Sequence, residues 1–174
     1  MSISSLARPE IVEMKAYSSA RKEAPGRGIL LNANEAPHGL LTQSEGSNPL
    51  NRYPDPQPDL LVQRLAELYG VSRDCLLVTR GSDEGIDLLT RVFCRAGKDA
   101  ILQCPPNFGM YRIAAQTQGA DIVSVPRQRK DDFNLDKQAV LNAVAGDPRI
   151  RLVFLTSPNN PTGDLISKAC LLYT

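Results

Sequence analysis

The feature of this sequence that most constrains its fold is a regular alternation of apolar and amphipathic segments between residues 59 and 156. Short apolar segments typical of strands lie at 76–79, 100–104, 121–125 and 151–156. Segments with apolar residues at helical spacing lie at 59–69, 82–93, 108–118 and 136–145. Strands that alternate with helices form right-handed βαβ units. We therefore predict an α/β fold, a mainly parallel sheet with helices on both faces.

The first of these helices shows the clearest amphipathic pattern. Leu61, Leu65 and Leu68 recur at i, i+4 and i+7, and Gly70 follows as a stop signal. The part of the chain before it is less regular. We expect a short helix within Pro9–Met14 and a possible strand at 29–32, and residues 36–58, with five prolines, are predicted to be loop.

Composition excludes several classes of function. The sequence has 174 residues, enough for one domain, and a formal net charge of +1, which gives no reason to expect nucleic acid or a membrane surface as a partner. The basic run RQRK at 127–130 is predicted to be a solvated loop. No segment has the length of a signal peptide or a membrane span, so we expect a cytoplasmic protein.

The cysteines and the histidine argue against a metal site. The four cysteines form no C-x-x-C pair, and His38 is the sole histidine. Zinc sites are built from clustered cysteine and histidine ligands, so a zinc site is not expected. Three of the cysteines lie among apolar residues, which indicates reduced thiols in the core.

Three polar segments follow predicted strands: TRGSDEG at 79–85, CPPNFGMY at 104–111 and SPNNPTG at 157–163. In parallel sheets ligands bind outside the carboxyl ends of the strands, so these segments are expected at one edge. Ser82 is a candidate N-cap with Asp83 and Glu84 in the first turn, and such a helix start suits a phosphate group. An ordinary capped helix explains the same residues. No P-loop or G-x-G-x-x-G pattern is present.

The other two segments suggest a flat ligand with polar edges. Phe108 and Tyr111 could stack on a ring, although aromatic residues at such positions often only pack the core. In SPNNPTG, prolines and a glycine rigidify a turn from which Asn159 and Asn160 present their amide groups.

These segments together resemble the fold-type I PLP-dependent aminotransferases, and within them the histidinol-phosphate aminotransferase family. The residues that carry the resemblance are LNANEAP (31–37), NRYPDPQP (51–58), TRGSDEGIDLL (79–89), GKDAILQCPPNFGMY (97–111) and SPNNPTGDLI (157–166). The resemblance implies a three-layer αβα large domain, present incompletely. It implies three parts: an arm and loop at 1–58, the N-terminal portion of the cofactor-binding domain at 59–166, and a non-matching tail at 167–174.

Roles follow from this resemblance position by position. Asn160 would hydrogen-bond the phenolic oxygen of pyridoxal 5'-phosphate, and the backbone N–H groups of Ser82 and Asp83 would bind its phosphate. Phe108, where many relatives have tyrosine, would stack on the pyridine ring. Tyr53 would reach the cofactor phosphate of the partner in a homodimer, and Tyr17 would contact the substrate.

The resemblance also implies a reaction and identifies what this chain lacks for it. The family transfers an amino group between L-glutamate and imidazole acetol phosphate, giving L-histidinol phosphate in histidine biosynthesis. Its Schiff-base lysine lies well beyond the NPTG turn. Lys168 lies too close to that turn to be this lysine and is expected to face solvent at the start of a helix. We therefore expect no catalytic residue here, a truncated chain without its C-terminal half, and no transamination by it alone.

Two alternatives remain open at this point. One is a different PLP-dependent aminotransferase, such as one for aromatic amino acids, against which LNANE and NRYP argue. The other is a non-catalytic fragment that pairs with a full-length subunit through its arm. A nucleotide-binding Rossmann domain is the weakest reading, because its glycine pattern is absent.

Overall fold

The structure is a computed structural model that describes residues 3–18, 29, 31, 33–39 and 51–171. The chain divides into two compact units. The larger unit comprises residues 1–14 and 79–174, and the smaller comprises residues 15–78. Each unit is described by itself.

The larger unit contains a sheet flanked by helices. In chain order its elements are α1 (Pro9–Val12), α3 (Ser82–Phe93), β1 (Ala100–Gln103), α4 (Met110–Gln118), β2 (Asp121–Ser124), α5 (Lys137–Gly146), β3 (Ile150–Phe154) and α6 (Lys168–Leu171). The helix α2 (Asp59–Tyr69) belongs to the smaller unit. The predicted strands at 100–104, 121–125 and 151–156 and the helices at 82–93, 108–118 and 136–145 are confirmed, with ends that differ by up to two residues.

The three strands form a parallel sheet in the order β2-β1-β3. β1 is central, and all four of its residues are buried. Ala100 lies opposite Asp121 of β2, and the ladder to β3 has an irregularity between Ala100 and Ile101. The prediction of a parallel sheet is confirmed. Three of the four residues of β1 are apolar, as burial on both faces favours, and the fourth is the buried polar Gln103.

Alternate side chains of β1 enter two separate cores. Ile101 packs in one core with Ile86 of α3 and with Tyr111 and two alanines of α4. Leu102, which points to the opposite face because strand side chains alternate, packs with Val140 of α5. Helices therefore cover both faces of the sheet, which confirms the α/β prediction.

The N-terminal segment contacts the last turn of α3 and the strand β3. The Arg8 N–H donates a 3.0 Å hydrogen bond to the Val92 carbonyl, and its Nη1 donates to the Arg91 carbonyl at 2.9 Å. Arg8 thus satisfies carbonyl groups in the last turn of α3, where a cation is favoured by the helix dipole. Arg151 of β3 donates to the Leu6 carbonyl at 2.9 Å. The short helix predicted within Pro9–Met14 is confirmed as α1.

The smaller unit is built around α2 (Asp59–Tyr69), which confirms the predicted helix and its stop. Gly70 ends it with φ 65°, a left-handed conformation that glycine adopts without steric cost. The buried residue of α2 is Val62, whereas Leu61 and Leu68 on the predicted apolar face are 45% and 74% exposed.

The predicted strand at 76–79 is wrong. The segment begins extended, with φ −120° and ψ 134° at Leu76, but it pairs with no described strand. The Gln57 side chain takes its hydrogen bonds instead, since Nε2 donates to the Val78 carbonyl at 2.9 Å and Oε1 accepts from the Val78 N–H at 2.8 Å. An apolar segment becomes a strand only where a neighbouring backbone supplies a ladder.

Two other predictions concern residues 29–58. The possible strand at 29–32 lies partly outside the described residues, which include 29 and 31 alone. Residues 36–39 and 51–58 contain neither helix nor strand, as predicted for a loop. Among the described residues, no helix is both long enough and apolar enough to cross a bilayer.

Candidate functional site

Three loops of the larger unit are brought toward the carboxyl edge of the sheet. The parallel strands β1 and β3 end at Gln103 and Phe154, so the segments that follow them emerge at the same edge. The last turn of α3 lies at the opposite edge, where the Cys94 Sγ approaches the Ala100 carbonyl at 3.9 Å. Because α3 ends at this opposite edge, its first turn is directed toward the carboxyl edge.

The start of α3 differs from the predicted cap in one respect. Gly81, with φ 91°, is the N-cap residue, and Ser82 is the first residue inside the helix, so the prediction of Ser82 as N-cap is wrong. Gly81 has no side chain with which to cap this helix start, and the first N–H groups of a helix have no partner within it. A Cβ placed on Gly81 would meet no atom within 4 Å. Ser82 and Asp83 are exposed.

Glu84 turns back toward the loop that precedes α3. Its carboxylate accepts the Arg80 N–H at 2.6 Å and the Arg80 guanidinium at 2.8 Å. These hydrogen bonds from Arg80 hold the pKa of Glu84 below its usual range. The positive charge of Arg80 therefore offsets part of the negative charge of Glu84. The exposed N–H groups of the first turn lie in a less negative field as a result.

Phe108 and Tyr111 take different roles. The Tyr111 ring is buried and stacked on Phe154 of β3, with centroids 4.7 Å apart, and its hydroxyl lies 2.8 Å from the Thr156 hydroxyl. The packing interpretation therefore holds for Tyr111. Phe108 is half-buried and meets Tyr111 edge to face at 5.8 Å. Its ring is thus held on one side by the core.

The turn after β3 places its two asparagines differently. Asn159 is 3% exposed, and its Nδ2 donates to the Pro106 carbonyl at 3.0 Å. The Gly163 N–H closes the turn on the Asn159 carbonyl at 2.7 Å. Asn160 is exposed. The structure therefore joins the loop that carries Phe108 to the turn that carries Asn160, and it leaves the Asn160 amide accessible.

The prediction that RQRK is a solvated loop is wrong for its first residue. Arg127 is 5% exposed and pairs with Asp164, which directly follows the NPTG turn, whereas residues 128–130 are exposed. A guanidinium is buried where it finds a carboxylate partner. No local pattern joins residues 127 and 164, so sequence reasoning missed both of them.

Tyr17 and Tyr53 belong to the smaller unit. They are 86% and 65% exposed. The Tyr53 N–H donates to a Glu35 carboxylate oxygen at 2.8 Å, and the other oxygen of Glu35 accepts from Arg52 at 2.8 Å. Glu35 therefore joins the LNANE and NRYP motifs through a carboxylate that is 2% exposed. Both motifs are evident in the sequence, but the contact of Glu35 with Arg52 and Tyr53 was not predicted.

Lys168 lies where the sequence predicted it. It is exposed and is the first residue of α6, which begins five residues after Gly163. Among the described residues there is no group of three or more His, Cys, Asp or Glu side chains that could hold a metal ion.

Comparison with known proteins assigns the class. The aminotransferase class I and II family matches residues 27–172. The chain belongs to this family, and its incomplete α/β domain is of the fold found in solved aminotransferase structures.

The more particular likeness is to histidinol-phosphate aminotransferases. The chain is 44% identical over 169 residues to that of Serratia proteamaculans (strain 568), covering 95% of this chain and 44% of that protein. It is 45% identical over 172 residues to histidinol-phosphate aminotransferase 1 of Haemophilus influenzae (strain 86-028NP), covering 99% and 47%. The chain thus spans about half the length of the curated relatives that it matches.

A solved structure agrees with this likeness. The histidinol-phosphate aminotransferase of Sinorhizobium meliloti, in complex with pyridoxal-5'-phosphate, matches with a TM-score of 0.57 and 27% identity. The match covers 63% of this chain and 29% of that one.

Proposed function

We propose that this chain forms the N-terminal part of a histidinol-phosphate aminotransferase that uses pyridoxal 5'-phosphate. The enzyme transfers an amino group between L-glutamate and imidazole acetol phosphate. The observation that carries the proposal is the link from Asn159 to the Pro106 carbonyl, which holds the NPTG turn beside the Phe108 loop and leaves Asn160 exposed. This pairing occurs in a chain 44% identical to enzymes of that name.

The donor set at this edge fits the cofactor. A phosphate needs several N–H donors, and the uncapped start of α3 offers those of Ser82 and Asp83. A pyridine ring needs a flat apolar surface, which Phe108 offers. A phenolic oxygen needs a donor, which the Asn160 amide offers. The bound cofactor supplies the electron sink for the reaction.

The residues of this chain bind and orient rather than transfer protons. The N–H groups of Ser82 and Asp83 would hold the phosphate at one end of the cofactor, and the amide of Asn160 would hold the ring at its phenolic oxygen. Two separated anchors restrict rotation of the ring, which is how positioning lowers a barrier. We propose that Lys168 is not the lysine that transfers protons in this reaction, because it is exposed on α6.

The smaller unit contributes contacts outside this set. We propose that Tyr17 contacts the substrate and that Tyr53 reaches the cofactor phosphate of the partner in a homodimer. The carboxylate of Glu35 supports this role because it fixes the backbone at Tyr53. We place the enzyme in the cytoplasm, as expected for amino-acid biosynthesis, and propose neither nucleic acid nor membrane as a partner.

Binding of the cofactor tests the first step. The chain is titrated with pyridoxal 5'-phosphate and followed by calorimetry, with Asn160→Ala and Asn142→Ala as matched variants. Loss of one hydrogen bond to the ring is expected to weaken binding by about tenfold in N160A. N142A, a change on α5, should bind like the parent chain. Equal affinity of N160A and the parent would contradict the role of Asn160.

Turnover tests the substrate class. The chain alone is expected to give no 2-oxoglutarate from L-glutamate and imidazole acetol phosphate. Co-expression with the C-terminal half of the Serratia proteamaculans relative is expected to restore turnover. The hybrid should prefer imidazole acetol phosphate to an aromatic 2-oxo acid. A hybrid that prefers the aromatic substrate would overturn the assignment, and turnover by the chain alone would show that a residue present here replaces the lysine.

A further inference from the structure

The buried guanidinium of Arg127 marks a place where this fold uses a charge inside the protein. Arg127 follows β2, and its side chain is 1% exposed. Arginine is almost never fully buried unless it is paired, because removing a charge from water is costly. The rest of the RQRK run is exposed, so burial of this residue is specific to its position.

Arg127 joins two segments at the carboxyl edge of the sheet. Its backbone N–H donates to the Pro105 carbonyl, in the loop after β1, at 2.7 Å. Its Nη1 donates to one carboxylate oxygen of Asp164, whose side chain is 13% exposed. The Nε atom is buried without a hydrogen-bond partner among the described residues, so the pairing uses a single N–H group.

Asp164 in turn holds the NPTG turn at several points. Its second carboxylate oxygen accepts from the Thr162 hydroxyl, and its carbonyl accepts the Asn159 N–H at 2.8 Å. The Thr162 hydroxyl also accepts from the Asn159 Nδ2 at 2.6 Å. A continuous chain of polar contacts therefore runs from Arg127 through the turn to the loop after β1. Asn160, which is exposed, lies within the turn that these polar contacts enclose.

We propose that Arg127 and Asp164 are positioning residues that fix the NPTG turn, so that Asn160 is held ready for the ring of the cofactor. This inference rests on the proposed function. Neither residue touches the cofactor in this role. None of the hydrogen bonds described for the pair reaches the start of α3, so the pair should affect contacts with the ring and leave contacts with the phosphate unchanged.

Two probes separate these contacts. Pyridoxine 5'-phosphate has the ring, the phenolic oxygen and the phosphate but no aldehyde to react with lysines, whereas inorganic phosphate tests the phosphate site alone. Calorimetry on Arg127→Met and Asp164→Asn is expected to show about tenfold weaker binding of pyridoxine 5'-phosphate. Affinity for inorganic phosphate should stay within about twofold of that of the parent chain.

Matched variants exclude a general loss of stability. Arg149→Met removes an exposed arginine that also pairs with aspartates, and it should change neither affinity. Because the role acts through Asn160, the double variant N160A/R127M should bind pyridoxine 5'-phosphate no more weakly than N160A. A parallel loss of both probes in R127M, or a further loss in the double variant, would overturn the proposal.

A conservative change keeps the test decisive if R127M does not fold. Arg127→Lys retains one N–H donor and the charge, which is all that a single-pronged pairing needs, so it should keep affinity within about threefold. R127M/D164L removes both charges and should fold better than either single change. If the parent chain binds neither probe, the proposed function fails. If the parent binds both and R127M matches it, only the positioning role fails.

Discussion

Two cysteine thiols show how strongly the core of the larger unit excludes water. Cys94 and Cys104 are 0% and 1% exposed, on opposite sides of the sheet, whereas Cys75 is exposed. Burial raises the pKa of both buried thiols to about 11 from an ordinary value of 9.0. Burial of these two confirms two of the three core thiols that the sequence predicted, and there is no third, because Cys75 is exposed and Cys170 is half-buried.

Thiol reactivity follows from these pKa values. At pH 8 a disulfide reagent is expected to label Cys75 rapidly and Cys94 and Cys104 slower by on the order of a hundredfold, since the thiolate is the reactive form. The half-exposed Cys170 should react at a rate between them. Cysteine-to-serine variants assign the phases, and Cys75→Ser should remove the fastest one. Rapid labelling of three or four thiols in the folded chain would contradict this burial.

The same shift predicts a dependence of stability on pH. The folded thiols have the higher pKa, so between pH 9 and pH 11 the folded state binds more protons than the unfolded state. Their contribution is therefore complete below pH 9 and is lost as the pH rises toward 11. Urea unfolding of the parent and of Cys104→Ala across this range should show a steeper fall for the parent. Parallel curves would contradict it.

At the scale of elements, the turn between α4 and β2 depends on a glycine. Gly119 has φ 75°, and a Cβ there would lie 3.2 Å from the Ala96 Cβ. Gly97 has φ 66° with no atom within 4 Å of such a Cβ. Gly97→Ala should cost about 1–2 kcal/mol of unfolding free energy through backbone strain alone. Gly119→Ala should cost at least about 1 kcal/mol more because of the contact with Ala96.

Urea denaturation of the two variants tests this difference directly. They carry the same chemical change in two loops that contact each other, since the Gly97 N–H donates to the Gly119 carbonyl at 2.8 Å. Equal losses of free energy would show that Ala96 moves aside without cost. A larger loss for Gly97→Ala would contradict the argument.

The elements that the sequence predicted well are those set by local periodicity. β1 begins with three apolar residues and α3 carries Ile86 at helical spacing, so both could be predicted without a tertiary contact. Whether residues 76–79 form a strand could not be predicted in this way, because a strand needs a neighbouring backbone. Here the Gln57 side chain bonds the backbone of Val78 instead. The cap of α3 was misplaced by one residue because glycine and serine are both accepted there.

The candidate site divides in the same way. Asn160 and Phe108 belong to local motifs, so they could be selected as candidates from the sequence alone. Arg127 and Asp164 are 37 residues apart, and Glu35 and Arg52 are 17 apart, so each pair exists only in the folded chain. Contacts between distant segments are thus harder to predict from the sequence than residues that belong to a local motif.

At the scale of the whole molecule, the outer edge of β3 is the feature from which we predict behaviour in solution. Within the described residues β3 pairs only with β1, and its Val153 is 40% exposed. Val153, Leu155 and Val144 of α5 line an apolar cavity of about 280 Å³ beside this edge. An open strand edge next to exposed apolar side chains favours pairing with another copy of the chain.

We therefore predict that the chain self-associates as its concentration rises. Val153→Lys should lower this association, because a charge on an edge strand opposes pairing. Ile113→Lys is the matched control, since Ile113 is 51% exposed on α4 and lies outside this cavity. Sedimentation velocity at concentrations about tenfold apart should show a mass that grows for the parent and for I113K but stays monomeric for V153K. An equal decrease in both variants would mean that added charge, rather than the β3 edge, controls association.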